Sequence, residues 1–337
     1  MDHLKILKRA WTMTWRYKAL WLFGFLFVLA GGSGWGGSGG GRGGGGSGQG
    51  GSTGGIAGGN GGGLPFGAIP PIDWNTVLII VLAVVAVILV LVVIATMVRY
   101  VAETAMFAGV DEIEITSDRL TVRRGFRLGW SRRALRLFLV DLIIYVPLVV
   151  LAIILVILAL SPLLLLPVNA VAVRVIAIAA CVGLELLVIL FIIAVALAVS
   201  LVTPYIRRRV VLSTQGVLAS LRQGLMLVRV SLLDTGLMWL LIVGVRILQW
   251  IVMIPVLIVV VTLSLVIGGV PAGLVYLVSH SWVAAAIVGV PLFLIALIPP
   301  IAFVLGLFEV YLSTSWTLAY RDVVARHADQ LPVPGVA

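Results

Sequence analysis

Six apolar stretches constrain the fold of this chain more than any other feature of its sequence. The first covers residues 19–35, and the others cover residues 76–98, 137–160, 170–203, 236–268 and 283–312. Each of the later five exceeds the ~20 residues that an α-helix needs to cross the hydrocarbon core of a bilayer. In lipid a helix satisfies its own backbone hydrogen bonds whereas an open strand does not, so the stretches are predicted to be six transmembrane helices.

The composition supports a fold that is embedded in a membrane. Hydrophobic residues make up 62% of the 337 residues, charged residues make up only 11%, and the mean hydropathy is +1.23. A soluble globular chain is nearer half apolar and a quarter charged. We therefore predict an all-α, polytopic helical membrane protein that forms a single integral membrane domain over residues 1–337.

Three basic, amphipathic segments each precede an apolar stretch. Residues 4–18, 117–136 and 213–230 combine arginine or lysine with apolar side chains at helical spacing. Such helices lie in the plane of an anionic leaflet, with their bases near the headgroups and their aromatic rings at the acyl boundary. The side chains predicted to occupy this interface are Trp11, Trp15, Arg123, Arg124, Phe126, Arg127, Trp130, Arg132 and Arg133.

The first two basic segments align with one another without a gap. The matched pairs are Arg9/Arg124, Trp11/Phe126, Trp15/Trp130, Lys18/Arg133, Ala19/Ala134, Leu20/Leu135, Leu22/Leu137 and Phe23/Phe138. A third and fainter copy places Leu221, Gly224 and Leu225 where Val122, Gly125 and Phe126 fall in the second. We therefore predict three repeats, each an interfacial helix followed by a hairpin of two transmembrane helices.

Lysine and arginine concentrate in alternate connections between the apolar stretches. One set contains residues 5–18, 99–136, 207–229 and 321–326, whereas the opposite set contains few basic residues. Because cytoplasmic loops are rich in lysine and arginine, the protein is predicted to lie in the inner (plasma) membrane with both termini on the cytoplasmic side. Residues 313–337 are predicted to form a cytoplasmic tail. The net charge of +10 is attributed to this orientation, and no nucleic acid partner is predicted.

A glycine-rich segment follows the first apolar stretch. Residues 31–73, which contain more than half of the 38 glycines, are predicted to form a flexible extracytoplasmic loop. No Gly-Lys-Ser/Thr motif occurs, which excludes a phosphate-binding loop of that kind. The basic start, the short apolar run and Ala30-Gly31-Gly32 are also typical of a signal peptide, so cleavage of the first stretch stays an alternative.

Ionisable side chains inside the apolar stretches are candidate sites, because each costs roughly 2.5–3.5 kcal/mol at a helix centre. They are Asp141, Glu185, Arg246 and Glu309. Asp141 lies near the start of its stretch and is expected to reach the headgroups. Arg246 lies about ten residues past the start of its stretch, and Glu309 lies a few residues before the end of the next one. Adjacent antiparallel helices would bring the two together as an intramembrane ion pair. The two residues are interpreted as a structural pair or as separate snorkelling side chains, with a substrate or proton pathway as the alternative.

No catalytic or metal-binding constellation occurs in the sequence. The three histidines and the single Cys181 are scattered, and no nucleophile motif is present. The acidic residues of 111–118 precede a run of arginines and are interpreted as a turn that neutralises those bases, with a divalent-cation site as the alternative. We predict no enzyme activity, no catalytic residue, no metal site and no cofactor.

Three short motifs resemble those of a broad bacterial group of six-span integral membrane proteins, mostly uncharacterised. They are the entry at residues 10–24 (AWTMTWRYKALWLFG), the connector at residues 211–224 (VLSTQGVLASLRQG) and the exit at residues 317–322 (TLAYRD). The group is similar to the membrane domain of glycerophosphodiester phosphodiesterases. The catalytic barrel of those enzymes is absent from this sequence, so the resemblance implies a membrane module and carries over no catalytic residue.

These observations predict a non-catalytic membrane module whose basic cytoplasmic face contacts anionic lipid headgroups or a membrane partner protein. The first alternative is a transporter or permease subunit with a cavity between the repeats near Arg246 and Glu309. A lipid enzyme ranks third because no catalytic cluster is present. A polar, water-accessible cavity at midplane depth would favour the transporter, whereas solid apolar packing would favour the module.

Overall fold

The computed structural model describes residues 2–32, 74–116, 121–165, 171–212 and 216–327, and in these ranges the chain forms helices and no strand. The helices are α1 (His3–Arg16), α2 (Ala19–Leu29), α3 (Trp74–Thr116), α4 (Val122–Gly129), α5 (Arg132–Leu160), α6 (Val171–Leu212), α7 (Val217–Val230), α8 (Leu232–Ser279) and α9 (Trp282–Arg326). A 3₁₀ turn (Ser161–Leu165) follows α5. The all-α class is thus confirmed for this part of the chain.

Five helices are long and apolar enough to cross a membrane. The candidate spans are Leu78–Thr116, Arg132–Leu163, Val171–Leu212, Leu232–Ser279 and Trp282–Arg326. The shortest of them has 32 residues. At 1.5 Å per residue it extends about 48 Å, which exceeds the ~30 Å hydrocarbon core. The protein is therefore a multi-pass membrane protein whose long helices continue beyond the hydrocarbon core.

The first predicted span differs from the other five. Helix α2 has 11 residues. Its length of about 16 Å is only half the thickness of the hydrocarbon core. Its buried Leu20, Phe23 and Phe27 pack against residues 102–113 of α3, which follow the apolar run of that helix. The structure therefore supports five candidate spans, and the prediction of six is not confirmed. Residues 33–35, and nearly all of the predicted loop at 31–73, lie outside the described residues.

Two predicted boundaries also differ from the helices observed. The second interfacial segment, predicted at 117–136, is divided between α4 and the first turn of α5, and residues 117–120 are not described. Ser131 causes the division because its backbone is extended, its Oγ donates to Leu128 O at 2.8 Å and it accepts from Arg133 N at 3.3 Å, which caps α5. Helix α9 continues through the first part of the predicted tail to Arg326.

A short break separates a basic helix from a long or apolar one at three places. The breaks lie at Tyr17–Lys18, at Trp130–Ser131 and at Ser231. The aligned positions that follow the first two breaks are packed differently, since Leu20 is fully buried whereas Leu135 is 61% exposed. The same local sequence of elements therefore recurs, but the three-repeat arrangement is not confirmed.

The buried core lies at one end of the long helices, which we call the core end. Residues 101–110 of α3, 203–211 of α6 and 312–320 of α9 are buried continuously, so these helical segments are covered on every side. By contrast, residues 78–94 of α3 are all exposed and almost entirely apolar. Such a surface is stable in contact with lipid and unstable in water.

The core end also gathers both ends of the described chain. His3 of α1 lies 3.2 Å from Asp234 O at the start of α8. Near the end of α9, Arg321 Nη1 donates to Asp111 Oδ1 of α3 at 2.5 Å. Helix α2 joins this assembly where Gly24 meets Gly306 of α9, since the absence of side chains there lets the two backbones touch. The side of the membrane on which the core end lies stays a prediction.

Candidate functional site

Arg207 of α6 is the centre of a buried ionic cluster. Its Nη1 donates to Glu103 Oε1 of α3 at 2.6 Å, and its Nε donates to Asp141 Oδ1 of α5 at 2.9 Å. Its Nη2 also donates to Asp141 Oδ2, and Tyr100 Oη donates to the same oxygen at 3.0 Å. All three charged residues are less than a tenth exposed. One guanidinium thus holds two carboxylates and ties three long helices together.

This cluster was not foreseen from the sequence. The sequence predicts that Asp141 reaches the headgroups, but it is buried against Arg207. The charge pattern places Arg207 in a basic connection, whereas α6 continues as a helix through it to Leu212. The available signal was the acidic residue inside an apolar stretch, because a buried carboxylate requires a cationic partner at the same depth.

The two arginines that follow Arg207 bind other helices. Arg208 donates from Nε to Thr317 Oγ1 at 3.1 Å and from Nη2 to Ser313 O at 3.0 Å, both on α9. Its guanidinium lies 4.5 Å from the ring centroid of Phe107 on α3. Arg209 donates from Nη2 to Gln223 Oε1 of α7 at 2.7 Å. Three consecutive arginines therefore join α6 to different neighbouring helices. This follows because successive side chains of an α-helix point about 100° apart around its axis.

Arg246 and Glu309 are brought together by the crossing of α8 and α9. Arg246 Nη1 donates to Glu309 Oε1 at 2.7 Å, and Nη2 donates to Oε2 at 3.1 Å. The same Nη1 also donates to Gln249 Oε1 at 3.0 Å. Both carboxylate oxygens of Glu309 are thus occupied, which is the geometry of a two-pronged arginine–carboxylate pair. Glu185, in contrast, lies on the exposed surface of α6.

A small cavity lies between α2, α3, α6 and α9, next to both ionic groups. It offers about 40 Å³ to the centres of water-sized molecules. Its charged and hydroxyl-bearing wall residues are Glu103, Thr203, Arg207, Arg208, Glu309 and Ser313. Glu103 Oε2 and Ser313 Oγ are buried and have no hydrogen-bond partner in the described part of the chain.

A second feature, which we call the basic face, consists of Arg123, Arg127, Trp130, Arg132 and Arg133 around the break between α4 and α5. All five side chains are exposed, and the indole of Trp130 is 70% exposed. None of the four arginines forms an ion pair with a described residue. The opposite side of α4 carries two glycines in contact with α2 and α3, which is why its large side chains point outward.

The remaining interfacial residues divide between exposed and paired side chains. Trp11 and Trp15 of α1 are about half exposed, and their ring centroids are 5.6 Å apart. Phe126 of α4 is 38% exposed and packs edge-on against Phe23. Arg124, although largely exposed, forms an ion pair with Glu112 of α3.

The acidic stretch at the end of α3 binds three separate helices. Besides the Arg124–Glu112 pair, Arg9 of α1 lies 2.7 Å from Glu114, and Arg321 of α9 reaches Asp111. These contacts agree with a stretch that neutralises neighbouring bases. Among the described residues there is no group of three acidic, histidine or cysteine side chains that could hold a metal ion.

Comparison with known proteins identifies one family. Its profile matches residues 9–323, and it is described as a family of unknown function (DUF7544). No curated protein matches the chain, and no solved structure matches it either. The structure agrees with the general character of an apolar, helical membrane protein. The comparisons show no link to the membrane domain of glycerophosphodiester phosphodiesterases, so that resemblance stays an expectation.

Proposed function

The chain belongs to this family of unknown function, and we propose that it is a non-catalytic membrane module that binds anionic lipid headgroups through the basic face. One observation carries the proposal. Four exposed arginines without a carboxylate partner among the described residues flank an exposed tryptophan at the start of the candidate span Arg132–Leu163, two of them before the span and two in its first turn. In water such a cluster repels itself, whereas phosphate groups neutralise it.

The surroundings of the basic face suit the boundary between headgroups and acyl chains. An amphipathic indole such as that of Trp130 prefers this depth, and an arginine near an anionic leaflet contributes about 1 kcal/mol to binding. Helix α1 offers Trp11 and Trp15 at the same end of the long helices, because Arg9 pairs with Glu114 of α3 while α4 contacts Val101 of the same helix. The two short helices thus supply similar chemistry at the same end of the long helices.

Orientation follows from the same reasoning. If the core end faces the cytoplasm, the basic face lies on the leaflet that is rich in anionic lipid, as the positive-inside rule requires. The proposed location is therefore the inner (plasma) membrane, with the basic face and both chain termini on the cytoplasmic side. A membrane partner protein with an acidic surface is the competing occupant, and lipid binding by the purified chain alone distinguishes the two.

A transporter for an organic substrate receives less support from the geometry. The cavity beside the Arg246–Glu309 pair offers about 40 Å³. Sites for small organic molecules are typically about 300–1,000 Å³. This cavity therefore has room for a few water molecules and not for an organic substrate.

The proposal is tested on the full chain in membranes that contain phosphatidylcholine and spin-labelled phosphatidylglycerol. We expect the protein to immobilise the anionic lipid preferentially, and high salt to reduce this preference. Replacing Arg123, Arg127, Arg132 and Arg133 together by glutamine should lower the preference at least about fivefold, which is the effect of losing the contribution of about 1 kcal/mol from a single arginine. The matched variant with lysine at all four positions should retain most of it. An unchanged preference in the glutamine variant would refute the proposal.

A further inference from the structure

The small cavity between α2, α3, α6 and α9 is a polar site separate from the basic face. Two oxygen atoms, Glu103 Oε2 and Ser313 Oγ, belong to residues that line it and find no hydrogen-bond partner among the described residues. Glu103 is 4% exposed and Ser313 is 8% exposed. We infer that these oxygens bind water in the cavity and that Glu103 takes up and releases a proton there.

The size of the cavity suits water. A buried water molecule needs about 10–15 Å³ of space for its centre and two to four polar partners. The 40 Å³ available is enough for about two or three such molecules. Glu103 Oε2, Ser313 Oγ and the guanidinium groups of the wall provide acceptors and donors on different helices. A short hydrogen-bonded chain of water therefore satisfies the groups that the protein leaves unpaired.

The charges around the cavity favour neutral water over a resident ion. Glu103 and Glu309 line it with negative charge, and Arg207 and Arg208 line it with positive charge. Asp141 and Arg246, which pair with members of this set, add one charge of each sign. These six groups sum to zero, and Arg99, one turn before Glu103 on α3, does not line the cavity. An added anion would face the two carboxylates of the wall, and an added metal cation would face the two guanidinium groups.

Of the three carboxylates Glu103, Asp141 and Glu309, Glu103 loses the fewest hydrogen bonds when it accepts a proton. Asp141 receives two bonds from Arg207 and one from Tyr100, and both oxygens of Glu309 are occupied by Arg246. Glu103 receives one bond, at Oε1. A proton on Oε2 leaves that bond intact, can be donated to water, and leaves Arg207 with one carboxylate partner instead of two.

The groups that face Glu103 act in opposite directions. Positive charge comes from Arg99 of its own helix and from Arg207 and Arg208 of α6, and it favours the carboxylate. Burial and the negative charge of Asp141 of α5 favour the acid, and Glu309 of α9 lines the same cavity. A carboxylate that faces charges of both signs and a polar cavity can exchange a proton with water, whereas a carboxylate held only by arginines stays ionised.

Infrared spectroscopy of the full chain in lipid nanodiscs tests this inference. Acidification also protonates the exposed carboxylates among the 13 Asp and Glu residues, so the signal is the wild-type spectrum minus that of Glu103→Gln. This difference should contain the C=O band of one protonated carboxyl group, and transfer to D₂O should shift that band promptly. Ser313→Ala should move the titration midpoint by about 0.5–1 pH unit, the equivalent of one hydrogen bond. Ser315→Ala, a buried serine of the same helix that bonds to Tyr311 O and does not line the cavity, should leave the midpoint unchanged.

Three results would overturn the inference. They are a wild-type minus Glu103→Gln spectrum without such a band, a difference band that does not respond to D₂O, and equal shifts of the midpoint in Ser313→Ala and Ser315→Ala. Should Glu103→Gln fail to fold, the spectra of the two serine variants, each compared with the wild type, still decide. The lipid preference of the basic face does not enter any of these measurements, so the two proposals fail independently.

Discussion

Arg207 and Asp141 are 66 residues apart in sequence and form a two-pronged ion pair between α6 and α5. Nε of the arginine donates to Oδ1 at 2.9 Å, Nη2 donates to Oδ2, and both side chains are buried. The remaining Nη1 binds Glu103 of α3. Because desolvated charges are stable only when they are paired, this relationship fixes the mutual position of three long helices at the core end.

Asp141→Asn should therefore destabilise the protein strongly. The amide cannot form the charged, two-pronged interaction, and breaking a buried pair typically costs about 3–5 kcal/mol. Thermal unfolding in detergent measures the effect. The control is Asp322→Asn, since Asp322 forms a half-exposed pair with Arg326 one turn away at 3.1 Å and should contribute about 0.5 kcal/mol or less. Similar losses in the two variants would contradict the importance of burial.

Arg208→Lys should also lower stability, although the charge is retained. The guanidinium reaches Thr317 Oγ1, Pro204 O and Ser313 O from three different nitrogens, and one ammonium group cannot reproduce that planar arrangement. We expect a loss of about 2 kcal/mol in the free energy of unfolding, because two or more hydrogen bonds of a charged donor are lost or distorted. The exposed Arg222, changed to lysine, serves as the control and should be neutral. An unchanged melting temperature in Arg208→Lys would contradict the prediction.

The close approach of α2 to α9 leads to a prediction about glycine. A methyl group on Gly306 would lie 2.7 Å from Phe25 N and 2.8 Å from Gly24 C, which are backbone atoms that cannot move aside. Gly306→Ala should therefore cost about 1–3 kcal/mol through overpacking, measured as a lower midpoint of thermal unfolding. Gly183→Ala in α6 is the matched control, since no atom lies within 4 Å of the added methyl group and alanine favours the helix. A smaller effect at Gly306 than at Gly183 would show that the backbones do not touch.

The helical class and the apolar runs could be predicted because they depend on local composition and on the requirement that backbone groups be bonded in lipid. The approach of Arg246 to Glu309 could be anticipated for a related reason, since the two residues interrupt consecutive apolar runs toward the ends that an antiparallel hairpin brings together. The cluster around Arg207 could not, because a run of three arginines at the end of an apolar stretch is equally typical of a cytoplasmic connection. Only the packing of α6 against α3 and α5 decides that this run is buried.

The aligned basic segments show why sequence similarity did not carry over to packing. In the first copy the helix breaks at Tyr17–Lys18, whereas in the second it breaks at Trp130–Ser131, two residues earlier in the alignment. Two residues turn a helix by about 200°, so equivalent side chains after the break point in nearly opposite directions. Phe23 is consequently buried while its counterpart Phe138 is 36% exposed. The position of the break depends on capping contacts such as those of Ser131. The alignment does not predict these contacts, because it matches Ser131 with Arg16.

The two chain termini should be accessible from the same side of the membrane. His3 contacts the start of α8, and Arg321 contacts the end of α3, so both ends of the described chain meet at the core end. Helix α3 begins at the opposite end of the long helices, and a tag inserted after Gly63, shortly before it, should therefore be accessible from the other side. Protease digestion of tags in right-side-out and inside-out vesicles measures all three positions. If the two terminal tags were accessible from opposite sides, the two ends of the described chain would not share the core end. If the Gly63 tag were accessible from the same side as the terminal tags, α3 would not begin on the opposite side of the membrane.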